Sequence, residues 1–248
     1  MSPRALQEFR ERLIVALDVP TASAAQRVVQ QLGESVSTYK VGLQLFTAEG
    51  PAVVRELVAA GRTVFLDLKI HDIPNTVAHA VKSAVDSGAK MLTVHASGGA
   101  AVLRAAVEAA NHRLSILAVT VLTSLNDEDM QEIGFAGTTV DEALRMAALA
   151  RSTGCDAVVT SAREVSAVRR MLGEGFGIVV PGIRPLGASQ DDQSRVATPA
   201  QAVYAGATQI VVGRPITRAA DPIQAVNAIL EEMAGAVVGD NTQLVKPT

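Results

Sequence analysis

Short runs of β-branched and aliphatic residues recur along this chain, and between them apolar positions return every three or four residues. The runs read as strands over residues 13–19, 39–42, 63–69, 91–96, 116–122, 157–161, 178–181 and 209–213. Most are apolar throughout rather than alternating, the pattern of a strand covered on both faces. Helices are expected over 24–33, 52–61, 76–88, 100–110, 141–154, 162–172 and 199–206, several ending in Gly as helix C-termini prefer. A last helix opens at Asp221, a capping residue followed by Pro222 at the first helical position, and runs to Met233. Strict β/α alternation implies right-handed crossovers and a parallel sheet. Eight such units predict an α/β fold closed into a (β/α)8 TIM barrel, a single domain over 1–235 with a loose tail over 236–248. A doubly wound open sheet is the runner-up, but no G-x-G-x-x-G turn follows the first strand.

One strand departs from the pattern. In Phe65-Leu66-Asp67-Leu68-Lys69-Ile70-His71-Asp72, two charges interrupt an apolar run and a third lies just beyond, ahead of Pro74. Residues two apart share a face, so Asp67 and Lys69 project together while Leu66, Leu68 and Ile70 pack the other way. Charge in a buried strand is costly even when paired, and is retained for chemistry or as a structural ion pair.

In a barrel, function collects at the C-terminal ends of the strands. Those places carry Asp18, Lys40, Asp67 with Lys69, His95, Thr123 with Ser124, Gly182 with Arg184, and Gly213 with Arg214. Asp18, Lys40, Asp67, Lys69 and Asp72 alternate in sign, so each charge can neighbour its opposite, and the set reads as catalytic. The ends of strands 7 and 8, through Arg184 and Arg214, suit a phosphate group. The polar stretch 185–198 is long for a connection in a compact domain and reads as a lid, with a passive surface loop as the alternative.

Composition narrows the partners. Hydrophobic residues at 48% and charged residues at 19% exclude a disordered chain. A net charge of -3 with 3% aromatics leaves no footprint for nucleic acid. The apolar run 13–17 is too short for a signal or membrane segment. Cys155 is the one cysteine and reads as a buried thiol, which fits a reducing, cytoplasmic setting. His71, His79, His95 and His112 show no zinc-ligand spacing, and no metal or cofactor is expected.

The D-x-K-x-x-D motif of Asp67, Lys69 and Asp72, followed by Ile73-Pro74-Asn75-Thr76, resembles the signature of the orotidine 5'-phosphate decarboxylase family. Ala16-Leu17-Asp18, Tyr39-Lys40-Val41-Gly42, Val121-Leu122-Thr123-Ser124, Pro181-Gly182-Ile183-Arg184, Asp192-Gln193-Ser194-Arg195 and Val212-Gly213-Arg214-Pro215-Ile216 resemble further blocks of that family in the right order. Only the first dozen residues and the tail from about Ala234 lie outside the resemblance. It implies a decarboxylation of orotidine 5'-phosphate to UMP, the last step of de novo pyrimidine synthesis, without metal or cofactor. It also implies the roles. Asp18 and Lys40 would hold the ribose hydroxyls, Lys40 also bridging to the charged network. Lys69 would protonate C6, and Asp67 would sit beside the substrate carboxylate. Asp72 would come from the second subunit of a homodimer with shared active sites. Thr123 and Ser124 would face the pyrimidine edge, Arg184, Gln193, Gly213 and Arg214 would grip the phosphate, and Ile73, Thr76 and Pro181 would be further substrate contacts. Two alternatives stand beside it. One is the Mg2+-dependent sugar-phosphate decarboxylases and aldolases that share the motif but carry Glu in place of Lys40; the other is a non-catalytic ligand-binding barrel.

Overall fold

A computed structural model of the chain describes residues 3–186 and 197–238, and among these eight parallel strands close on themselves in chain order. Helix α1 (Pro3–Arg12) leads into β1 (Leu13–Ala16). The chain continues through α2 (Ala22–Leu32), β2 (Thr38–Gly42), α3 (Leu43–Glu49), α4 (Ala52–Ala59), β3 (Thr63–Ile70), α5 (Pro74–Asp86) and β4 (Met91–His95). Then come α6 (Ala100–Ala110), β5 (Ser115–Val119), α7 (Asp127–Glu132), α8 (Thr139–Ser152), β6 (Ala157–Val159), α9 (Val165–Leu172) and β7 (Gly177–Val180). The last elements are α10 (Pro199–Tyr204), β8 (Gln209–Val212), α11 (Arg214–Thr217) and α12 (Pro222–Val238). Pairing of Leu13, Ile14 and Val15 with Ile210, Val211 and Val212 closes the ring, so the expected (β/α)8 barrel forms.

Most strand positions are apolar because both faces of the sheet are buried. Along β1, Ile14 and Ala16 join Phe65, Leu117, Val119, Val179 and Val211 inside the barrel. Leu13, Val15 and Leu17 point outward, into the layer that Val41, Leu66, Leu92, Ile116, Ile178 and Ile210 share with the helices. Helix α6 lays Val102, Leu103, Ala106 and Ala110 on that layer at helical spacing. Leu103 is fully buried, and its truncation to Ala would cost about 2–5 kcal/mol. Helix starts are fixed locally: α7, α8 and α10 open with reciprocal capping boxes at Asn126, Thr138 and Thr198.

Several element bounds differ from expectation. Strands β1 and β5 stop at Ala16 and Val119, although apolar residues continue to Val19 and Leu122. The Leu17 N–H still donates to the Lys40 carbonyl at 2.9 Å, one bond past the end of β1, and Leu17 and Val121 are both buried, so apolarity there reports burial under the barrel mouth. Helix α3 follows β2 directly and was not expected. Helix α12 continues past Met233 to Val238, with Ala234 and Ala236 packed on the core.

Candidate active site

The charged strand is bent where its charges lie. Leu66 pairs with Leu92 and Ile70 with Val94, so four steps along β3 match two along β4 and the strand holds a two-residue bulge. Within the bulge Lys69 takes φ +49°, a left-handed conformation that a non-glycine residue adopts at a cost of about 1–2 kcal/mol. Strained backbone of this kind persists where surrounding contacts over-determine it. Here the Lys69 N–H donates to Thr93 Oγ1 at 2.8 Å, and the Lys69 ammonium lies 2.9 Å from both carboxylate oxygens of Asp67. Asp67 and Lys69 thus meet as expected, but through a bulge rather than through plain alternation.

From Asp67 the charges continue across the mouth. Lys40 Nζ lies 3.5 Å from Asp67 Oδ2 and 2.9 Å from Asp18 Oδ1, giving an unbroken series Asp18, Lys40, Asp67, Lys69. Lys40 and Asp67 are buried, Asp18 faces solvent, and Lys69 is partly exposed. Burial alone would push the Asp67 carboxyl upward. Lys40 and Lys69, with hydrogen bonds from Lys69 and Thr93, outweigh it and hold Asp67 below the usual carboxylate range. Two acids and two ammonium groups balance, so the buried middle of the series, Lys40 and Asp67, meets opposite charge on both sides.

Lys69 opens onto a cavity of about 380 Å³. It is lined by Asp18, Lys40, Asp67 and Lys69, by Arg184, Gly213, Arg214 and Arg218, and by the apolar Ala16, Phe65, Val159 and Val211, with Thr123 and Pro181. The expected residues Asp18, Lys40, Asp67, Lys69, Thr123, Pro181, Arg184, Gly213 and Arg214 therefore converge. Asp72, Ile73, Thr76 and Ser124 are exposed and do not line this cavity. Asp72 accepts a hydrogen bond from the Ile73 N–H at 2.6 Å. Gln193, with most of the stretch read as a lid, lies outside the described residues.

Three contributors escape the sequence. Thr93 looks like any β-branched strand residue. Gly42 has an ordinary φ of -96°, and its importance is spatial, since a β-carbon there would meet Lys40 Nζ at 2.9 Å. Arg218 stands four residues after Arg214, a helical spacing that was available as a signal. Beside the main cavity, the rings of His71 and His95 lie 5.3 Å apart at the edge of a smaller, mainly apolar space of about 260 Å³. Burial, reinforced by His71 and Lys69, lowers the His95 pKa and favours its neutral form.

A closed parallel barrel in which a balanced acid–lysine series and three arginines line one cavity defines a (β/α)8-barrel enzyme built for an anionic ligand. The family model described as "Orotidine 5'-phosphate decarboxylase / HUMPS family" matches residues 11–229, and the chain belongs to that family. It is 52% identical over 219 residues to the protein named orotidine 5'-phosphate decarboxylase from Anaeromyxobacter sp. (strain K), covering 88% of this chain and 96% of that protein. It is 51% identical over 226 residues to the protein of the same name from Alkalilimnicola ehrlichii, covering 90% and 96%. Among solved structures, orotidine 5'-phosphate decarboxylase from Lactobacillus acidophilus superimposes with a TM-score of 0.80 at 36% identity, covering 89% of this chain and 98% of that one.

Proposed function

We propose that this chain decarboxylates orotidine 5'-phosphate to UMP and CO2, the last step of de novo pyrimidine synthesis, and that Lys69 delivers the proton. The observation that carries this is the Asp18, Lys40, Asp67, Lys69 series, which holds the Lys69 ammonium at a cavity that three arginines also line. When the C6–carboxylate bond breaks, its electron pair stays on C6 and CO2 leaves. A proton then passes from Lys69 Nζ to C6, giving UMP, and water restores the ammonium. Charge at C6 grows during bond breaking, so a fixed ammonium there favours the transition state over the ground state. Arg184 and Arg214 hold the phosphate, remote from C6, where its binding energy serves orientation and desolvation. Asp18 and Lys40 hold the ribose hydroxyls, and Thr123 faces the pyrimidine.

Asp72, Ile73 and Thr76 act in a second copy. Each is exposed, none lines its own cavity, and Ile73 leaves 66% of its surface uncovered. A homodimer that exchanges these residues accounts for their position. The chain works in the cytoplasm, where a lone buried thiol such as Cys155 is at home.

The sugar-phosphate branch of the family would need Mg2+ on the acids of this mouth. Both oxygens of Asp67 already face ammonium groups, and Lys40 lies 2.9 Å from Asp18, so the donor set suits no divalent cation. The test is the fall in ultraviolet absorbance of orotidine 5'-phosphate with wild-type protein, with and without EDTA, and with Lys69→Ala. Loss that survives EDTA and disappears in Lys69→Ala is expected. Turnover only of a keto-sugar phosphate with Mg2+ would overturn the proposal.

A further inference from the structure

Thr93 lies in β4 with no exposed surface. Its hydroxyl accepts from the Lys69 N–H at 2.8 Å and donates to Asp67 Oδ1 at 3.0 Å. One hydroxyl proton and two lone pairs allow both bonds at once, and donation to a carboxylate fixes the direction of the hydroxyl. The two bonds reach the two parts of β3 on which the site depends: the backbone of its left-handed residue and the carboxylate between two lysines. An N–H left unpaired inside the bulge would be costly, and so would a carboxylate free to rotate away from Lys69.

We infer that Thr93 is a positioning residue for the proposed decarboxylation, its hydroxyl holding Lys69 in the left-handed bend and orienting Asp67 so that the Lys69 ammonium is aimed into the cavity. Thr93 does not itself line the cavity, so it acts through the pair it holds. The inference rests on the activity proposed above. Loss of the hydroxyl should therefore slow the chemical step more than it weakens binding of a nucleotide lacking the reacting carboxylate.

The experiment compares wild type with Thr93→Val, Thr93→Ala and Thr93→Ser. It measures kcat for orotidine 5'-phosphate, UMP affinity by calorimetry, melting temperature, and kcat/KM across pH. A hydroxyl-free variant that melts near wild type is expected to lose about tenfold or more in kcat, while UMP affinity stays within about threefold. Thr93→Ser is expected to keep kcat within about threefold of wild type, because it keeps both bonds. The acid limb of the hydroxyl-free profile should move to higher pH, since Asp67 loses a bond that favours its ionised form. The other charged or titratable groups near Asp67 are Lys40 of β2, Lys69 of β3, His95 of β4 and Asp18 beyond β1, and they are unchanged in the comparison. Unchanged kcat without the hydroxyl, or an equal loss in Thr93→Ser, would overturn the inference. Unfolding of both hydroxyl-free variants beside a stable Thr93→Ser would assign the hydroxyl to folding and overturn it too. A wild type that leaves orotidine 5'-phosphate intact would instead overturn the activity, and this inference with it.

Discussion

Gly42 and Lys40 share one small space at the end of β2: a β-carbon on Gly42 would lie 2.9 Å from Lys40 Nζ and 3.3 Å from Asp18 Oδ1. The missing side chain leaves room for the ion pair that begins the charged series. In Gly42→Ala the yielding atom would be the far end of a flexible lysine, so the fold should hold, with melting within a few degrees of wild type. Lys40, however, should be pushed out of line with Asp67. A misplacement of about 1 Å in a site of this kind costs on the order of 10–100-fold in rate. Steady-state kinetics beside a melting curve checks this; full activity in Gly42→Ala would show that the Lys40–Asp18 pair is not needed.

Asp67 gives the protein a defined acid sensitivity. Its folded-state pKa lies below the unfolded value of about 3.9, because its lysine neighbours and hydrogen bonds outweigh burial. A depressed carboxyl contributes stability that is present above the unfolded pKa and is lost as pH falls through the folded one. Asp67→Asn has no such linkage. Between about pH 5 and about pH 3 its melting temperature should therefore fall less steeply than that of wild type, other acids being common to both. Parallel curves would remove Asp67 from the acid response.

The barrel is legible in the sequence because parallel strands buried on both faces write themselves as unbroken apolar runs, and a charge inside such a run is conspicuous. That is how Asp67 and Lys69 stand out, with Lys40 inside the preceding strand. The bulge is not legible: lysine is not a residue that announces a positive φ, and only the pairing of Leu66 with Leu92 and Ile70 with Val94 reveals it. Thr93 is hidden for a related reason, since its hydroxyl matters only once the bulge has brought Lys69 N–H and Asp67 beside it. Helix α3 opens at Gly42 without a side-chain cap, so Leu43–Glu49 carries no start signal. Asp72, Ile73 and Thr76 sit in a recognisable motif, yet in this chain alone they face solvent.

The proposed exchange of those residues between copies predicts that activity depends on association. Ile73 is two-thirds exposed, and an apolar side chain of that size at an interface centre is where a charge does most damage. Ile73→Glu should shift the protein to a monomer in sedimentation velocity and lower kcat/KM at dilute enzyme, while the barrel keeps its melting temperature. A monomeric wild type with full activity would remove the shared-site arrangement.

Arg214 and Arg218 should differ in how salt affects their loss. Both line the cavity, but Arg214 is partly buried at the end of β8 whereas Arg218 is exposed, one helical turn on. A partly buried contact to phosphate is poorly screened, so Arg214→Ala should lower kcat/KM by on the order of 2–5 kcal/mol at any ionic strength. An exposed cation beside an anion site acts chiefly on encounter, and its field is cut as the Debye length shrinks from about 30 Å at 0.01 M to about 3 Å at 1 M salt. Arg218→Gln should therefore reduce kcat/KM by about two- to fivefold in dilute buffer, leave kcat unchanged, and converge on wild type as salt rises. Kinetics over a salt series for both variants separates the two roles. A salt-independent loss in Arg218→Gln would place Arg218 in direct contact with the phosphate, and a loss in Arg214→Ala that vanished with salt would remove Arg214 from it.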